Sequence, residues 1–238
     1  MKNYKYLLII LGFAILIFVI VSKNPALAPV VAPNEAELCF AKFGQVMPNP
    51  NGFEDKYTLH LSIKGGEVTG ELKFLPAEKD SKVGSFTGTV SAVDKVMMAR
   101  TVNAMWDTLG EGMKATEELK IIFGEGTANI GFGEMIARGD GVYTYKDPTK
   151  IQYTLQLSDV ACSNLTEQDN VEKYLRANIT TLSPVKAVLG GTWYVLSVNI
   201  DATKNSGNLT YEDGHIQEKK TFTYTVDEKS EVLSLTIN

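Results

Sequence analysis

The sequence predicts a mainly β, all-β-class fold: an antiparallel meander closing into a barrel-like domain, then a short helix and a small β unit. Three observations predict it. Tyr57, Leu59, Leu61 and Ile63 alternate with Thr58, His60, Ser62 and Lys64, so this stretch is a strand with one apolar and one polar face. The alternation returns in Val68–Phe74 after the Gly65-Gly66 turn, and in Gly84–Val90 after the AEKDSK loop, giving consecutive strands that share a dry face. Gly70 and Gly88 stand on that dry face, where a strand glycine marks a bend or bulge of the kind found at the corners of a closing sheet.

In chain order, Lys2 and Lys5 precede Tyr6–Val21, about 16 residues with no charge and no polar helical face. Residues 1–23 are therefore expected to be a transmembrane anchor or signal segment, with everything after them outside the cell membrane. Ala26-Leu27-Ala28 has the small-x-small form of a signal-peptidase site, yet Pro29 would follow the cut and opposes it. The expectation is an uncleaved single-pass anchor, with secretion after cleavage behind Ala28 as the alternative. Residues 24–37 hold three prolines among small residues and read as an extended spacer.

The barrel-like domain is assigned to residues 38–163. It opens with the strand LCFAKF and breaks at Pro48-Asn49-Pro50-Asn51-Gly52, a dense turn signal. After the three alternating strands, the pattern predicts a strand over Lys95 to Val102, an irregular run from Asn103 to Thr116, and further strands over Glu118–Phe123, Thr127–Gly133 and Ile151–Ser158. About eight strands thus lie between Cys39 and Cys162. These two cysteines, 123 residues apart, form no CxxC metal or redox motif. In an exported chain a mutual disulfide is expected, with two buried thiols as the alternative. A bond would tie the first strand to the last, which are neighbours only if the sheet curls round to meet itself.

Residues 164–185 read as a helical connector. Thr166 with Asp169 three residues on gives an N-cap signal, and Val171, Tyr174, Leu175 and Ile179 share one helical face up to Ser183-Pro184. Residues 186–238 then predict four short strands, Trp193–Ile200, Gly207–Tyr211, Lys219–Val226 and Glu231–Ile237, with too little chain for an independent core.

The block YTLHLSIKGG, VTGELKF, EKD and GSFTGTVSAVDKV, with Ile130-Gly131-Phe132-Gly133-Glu134 as a "GYGE"-like strand, resembles a recurrent segment of uncharacterised exported and lipid-anchored bacterial β proteins. The resemblance spans Tyr57 to Glu134 and implies an extracytoplasmic β protein. Those relatives usually carry a lipobox cysteine; Cys39, preceded by Ala36-Glu37-Leu38, does not fit one. Leu189 to Val198, LGGTWYVLSV, resembles the "L-x-G-T-W-x-L-x-S" opening of META-type domains of bacterial envelope proteins, although the remainder of that pattern is absent.

The totals narrow the functional classes. A formal charge of −5 without any Lys/Arg cluster excludes a nucleic-acid or polybasic lipid-headgroup role. His60, on a polar strand face, and His215, in a turn, lack local partners, so no metal site is predicted. The acids around Asn199, Asp201 and Asn205 match no calcium loop, and no G-x-S-x-G occurs, so no catalytic residues and no cofactor are assigned. One group remains: Met97, Met98, Met105, Trp106 and Met113, read either as ordinary core or as the soft lining or lid of an apolar ligand cavity. The sequence-level expectation is a membrane-tethered, non-catalytic binding module for an apolar small molecule or an envelope component. A structural or protein-interaction module with a filled core, and an envelope hydrolase using carboxylates, are the alternatives.

Overall fold

The computed structural model describes residues 35–44, 54–77 and 80–238. The expected anchor over residues 1–23 and the Pro48–Gly52 turn lie outside the described residues, as does all of the spacer except its last three positions. Those three belong to a strand. Glu35, Ala36 and Glu37 pair with Lys64, Ile63 and Ser62, so β1 (Glu35–Phe43) starts earlier than its apolar residues indicate.

The apolar alternation builds the barrel. In β2 (Lys56–Lys64), Leu59, Leu61 and Ile63 are at most 1% exposed, and every second residue faces out. β3 (Glu67–Leu75), β4 (Lys82–Val90), β5 (Arg100–Gly110), β6 (Met113–Gly124) and β7 (Thr127–Phe132) continue the meander. A side hairpin of β8 (Met135–Ala137) and β9 (Val142–Tyr145) then hangs on β6 through a parallel pairing. β10 (Gln152–Val160) pairs with β7 on one side and β1 on the other, while β5 also pairs with β6. The eight strands β1–β7 and β10 therefore close, leaving no free edge. The interior is filled by the barrel's own side chains, among them Phe86, Ile121, Ile130 and Leu157, each no more than 2% exposed.

Three expectations change here. Lys95–Val102 is not a strand: Asp94 to Ala99 is a tight turn closed by a backbone bridge, and β5 begins at Arg100. Asn103–Thr116 is no irregular run but the body and turn of the β5–β6 hairpin, paired from Arg100↔Phe123 to Gly110↔Met113. Nor do Gly70 and Gly88 make bulges, because the β2–β3 and β3–β4 registers pass through them unbroken. A Cβ at Gly70 would lie 2.0 Å from the His60 carbonyl oxygen and 2.4 Å from the Phe86 ring, so the glycine makes room for an aromatic in the interior.

After β10 comes α1 (Cys162–Leu182). It starts four residues before the expected cap; Ala161 is the N-cap and offers no side-chain hydrogen bond, while Thr166 is inside the helix with Oγ1 donating to the Cys162 carbonyl. Val171, Leu175 and Ile179 recur at helical spacing and are buried. They pack on a four-stranded antiparallel sheet of β11 (Tyr194–Asp201), β12 (Ser206–Glu212), β13 (Gln217–Val226) and β14 (Val232–Ile237). Trp193 stacks edge-on against Tyr211 at 4.8 Å and donates Nε1–H to the Val185 carbonyl. The helix is thus half of the second core and not a connector, which answers how so short a β segment becomes stable. Among the described residues no helix is long and apolar enough to cross a membrane.

Candidate functional site

The two cores do not merge, and the surfaces that face each other between them are polar. Strand alternation dictates this: if Leu59 and Leu61 point into the barrel, Thr58 and His60 point out, as do Glu71 and Lys73 across β3. Against this outer wall stand the first turns of α1 and the end of β11 with the turn after it, Asn199–Thr203. They enclose a cleft of about 460 Å³, lined also by Phe43, Glu54 and the two cysteines.

Ion pairs span the cleft. Lys56 Nζ lies 3.3 Å from Glu172 Oε2, and Lys73 pairs with Asp169. Glu172 Oε1 also accepts from Arg176, whose Nη1 donates to the Val195 carbonyl of the second sheet at 2.8 Å. Burial alone would raise the Glu172 carboxyl, but Lys56 and Arg176 outweigh it and hold the group below the ordinary glutamate value. Glu54, in the same cleft, goes the other way: burial raises it, and the Lys56 charge offsets only part.

At the foot of the cleft, β1 and β2 place Cys39 directly opposite His60. β1 and β10 place Cys39 opposite Val160, and Cys162 follows two residues later, bonded to Cys39 with the Cα atoms 5.1 Å apart. The disulfide thus lies on the outside of the barrel at the seam between its first and last strands. His60 Nε2 is 2.5 Å from Glu37 Oε2, and Ser62 Oγ donates to Glu37 Oε1 at 2.5 Å. The Ser62 hydrogen bond, the largest influence, keeps the Glu37 carboxyl below its ordinary value against the opposing effect of burial, with His60 adding to the lowering.

The methionine group does not converge. Met97 and Met98 project from the Asp94–Ala99 turn, more than half exposed, and Met113 is exposed at the opposite end of β5. That strand's 11 residues separate them by roughly 36 Å at the usual rise per residue. Met105 faces outward beside Trp106, which points inward and donates Nε1–H to the Gly84 carbonyl. Trp106 does border a cavity, but one of about 250 Å³, shared with Leu72, Phe74, Ile130, Phe132 and Met135 and with none of the other four named residues. Tyr145 closes its side, donating to the Gly131 carbonyl; burial, and next the nearby Glu118, push its hydroxyl up to about 12.

Asp201 and Asp213 serve turns. Asp201 accepts from Thr203 and Lys204, which lower it to about 2, the Lys204 bond first. Asp213 is ringed by the backbone N–H groups of Val188, His215 and Ile216. Sequence reasoning missed His60, Glu54 and Glu172 as members of one site. The signal available for His60 was the β1–β2 register, which puts a cysteine across from a histidine on a polar face.

Fold and site together define a class: a closed eight-stranded antiparallel barrel carrying a helix–sheet unit, with a polar cleft on the barrel's outer wall. No family model, no curated protein and no solved structure matches the chain.

Proposed function

We propose that the protein is a membrane-tethered, extracytoplasmic, non-catalytic binding module, and that its ligand site is the polar cleft and not the barrel interior. The observation that carries this is the contrast between the two spaces. The space beside Trp106, about 250 Å³, is below the usual size of ligand pockets, whereas the cleft of about 460 Å³ is within it. The ligand class follows from the lining. Lys56, Lys73, Gln168 and Thr203 carry donors and the facing carboxylates carry acceptors, now bonded within the protein, a mixture that suits hydroxyls, since each hydroxyl can exchange for either partner. Phe43, 42% exposed in the same cleft, adds an apolar face on which a sugar ring can rest. The reading is therefore an envelope component of the saccharide class, in keeping with the disulfide, which favours an oxidising compartment.

A second reading, an envelope hydrolase, draws on Glu54 and Glu172, whose shared cleft drives their acidities apart as in acid–base pairs. It is the weaker one because both oxygens of Glu172 are held by Lys56 and Arg176. Isothermal titration of the full chain in detergent with soluble cell-wall oligosaccharides tests both. Saturable binding that weakens about tenfold, or 1.4 kcal/mol, in Phe43→Ala supports the module. Absence of heat with every oligosaccharide refutes it, and cleaved products in the recovered sample establish the hydrolase.

A further inference from the structure

Cys39–Cys162 staples the seam of the barrel, and a staple needs no histidine beside it, yet His60 stands there. Both sulfurs and a ring nitrogen of His60 lie within 4.8 Å of one another. The arrangement is built by backbone pairing on both sides of β1: Cys39↔His60 towards β2 and Cys39↔Val160 towards β10. Ladders position Cys39 and His60, and Cys162 stands only two residues beyond the paired Val160, so the sulfurs stay neighbours when the bond is reduced.

We propose that the reduced pair and His60 form a Cys2His site for a soft divalent cation, zinc by preference, so that the disulfide is the metal-free, oxidised state of a redox-gated metal site. Two thiolates and one imidazole are the donor set of an open zinc centre, with the fourth position directed into the cleft. Tetrahedral zinc at ordinary bond lengths holds its donors about 3.5–3.8 Å apart, within easy reach of the present spacing. His60 also has the support that metal-bound histidines require. Glu37 engages Nε2 and is itself fixed by Ser62, so a metal bound here would take Nδ1. Cys162 is the first residue of α1, where no side chain caps the leading N–H groups and no acid occupies the first turn, a setting that favours negative charge on its sulfur.

The chemistry balances. An external dithiol reduces the disulfide by exchange, gives up two electrons and two protons, and becomes a disulfide itself. The two thiols of the protein then bind Zn²⁺ with release of two protons. This site does not depend on the saccharide reading and would persist if that reading failed.

The test uses the full chain in detergent, reduced with a phosphine under anaerobic conditions and titrated with Co²⁺ as a spectroscopic probe. The reduced protein is expected to bind one equivalent and show both a thiolate-to-cobalt charge-transfer band and tetrahedral visible bands, while the oxidised protein shows neither. His60→Ala is expected to shift the visible bands and weaken binding at least tenfold, and Glu37→Gln to weaken it by about 10- to 100-fold. If reduction unfolds the chain, added Co²⁺ is expected to restore the β-sheet circular dichroism together with the bands. The proposal is overturned if the reduced protein gives no bands, if His60→Ala leaves them unchanged, or if cobalt binds without restoring a lost fold.

Discussion

Replacing both cysteines by alanine separates the barrel's closure by hydrogen bonds from its closure by sulfur. In the chain-entropy account, a link across 123 residues removes about 16 cal/mol/K from the denatured ensemble, or about 5 kcal/mol at 25 °C. The native state should change little, because Cys39 is held by continuous pairing with β2 and by pairing with β10 whether or not the bond exists. Nearly the whole effect therefore belongs to the unfolded chain. For a folded part of this size, 1 kcal/mol corresponds to about 2–4 °C in Tm, so Cys39→Ala/Cys162→Ala is expected to melt about 10–20 °C lower with an unchanged β-sheet spectrum. Metal-free reduced wild type should melt with the double variant, and calorimetry with and without reductant measures both. A shift under about 3 °C would refute the reasoning, since the bond would then close no loop that the denatured chain leaves open.

Four further outcomes follow from the packing and the cleft. Glu54→Gln should raise Tm at pH 7, because ionised Glu54 bears a burial cost; the sign reverses the usual acid case, so the advantage is expected to vanish below the ordinary glutamate value of about 4.3 in a pH series of melts. Glu172 titrates in the opposite sense: its link to Lys56 and Arg176 contributes above the ordinary glutamate range and is lost as pH falls through the lowered value, which hydrogen exchange should register as loosening of α1 in acid. Leu175→Ala should cost about 2–5 kcal/mol in urea unfolding of the second core, and Gly70→Ala about 3 kcal/mol or more, because the His60 carbonyl that a Cβ would strike is fixed in the sheet.

How much of this was legible in the sequence depended on which side chains face inward. β2 could be read because its interior residues are all large and apolar and its exterior ones polar. β5 could not: its inward positions include Ala104 and Thr108, the latter satisfied by donating to the Ala115 carbonyl, while Met105 and Leu109 face away from the core. Small or polar residues inside and apolar ones outside erased the period, and a regular hairpin took on the look of a lid. The start of α1 was hidden for a related reason, since Ala161 gives no capping signal and the Thr166–Asp169 pair falls within the helix. The four C-terminal strands were legible to within two residues, but their stability was not, because the covering surface comes from Val171, Leu175 and Ile179 on the helix before them. The cleft was invisible for the most basic reason. It is made of the polar faces of strands and a helix far apart in the chain, and polar faces carry no mark that distinguishes a wall from open solvent until the pairing registers are known.

The central claim is that binding belongs to the outer wall of the barrel and not to its interior. Hydrogen-exchange mass spectrometry of the full chain, with and without cell-wall oligosaccharide, tests it most directly. Added protection confined to β1, β2, the first turns of α1 and the Asn199–Thr203 segment is the expected result. Protection in the segments around Trp106, Phe132 and Tyr145, with the cleft unchanged, would place the ligand in the barrel mouth and contradict the account.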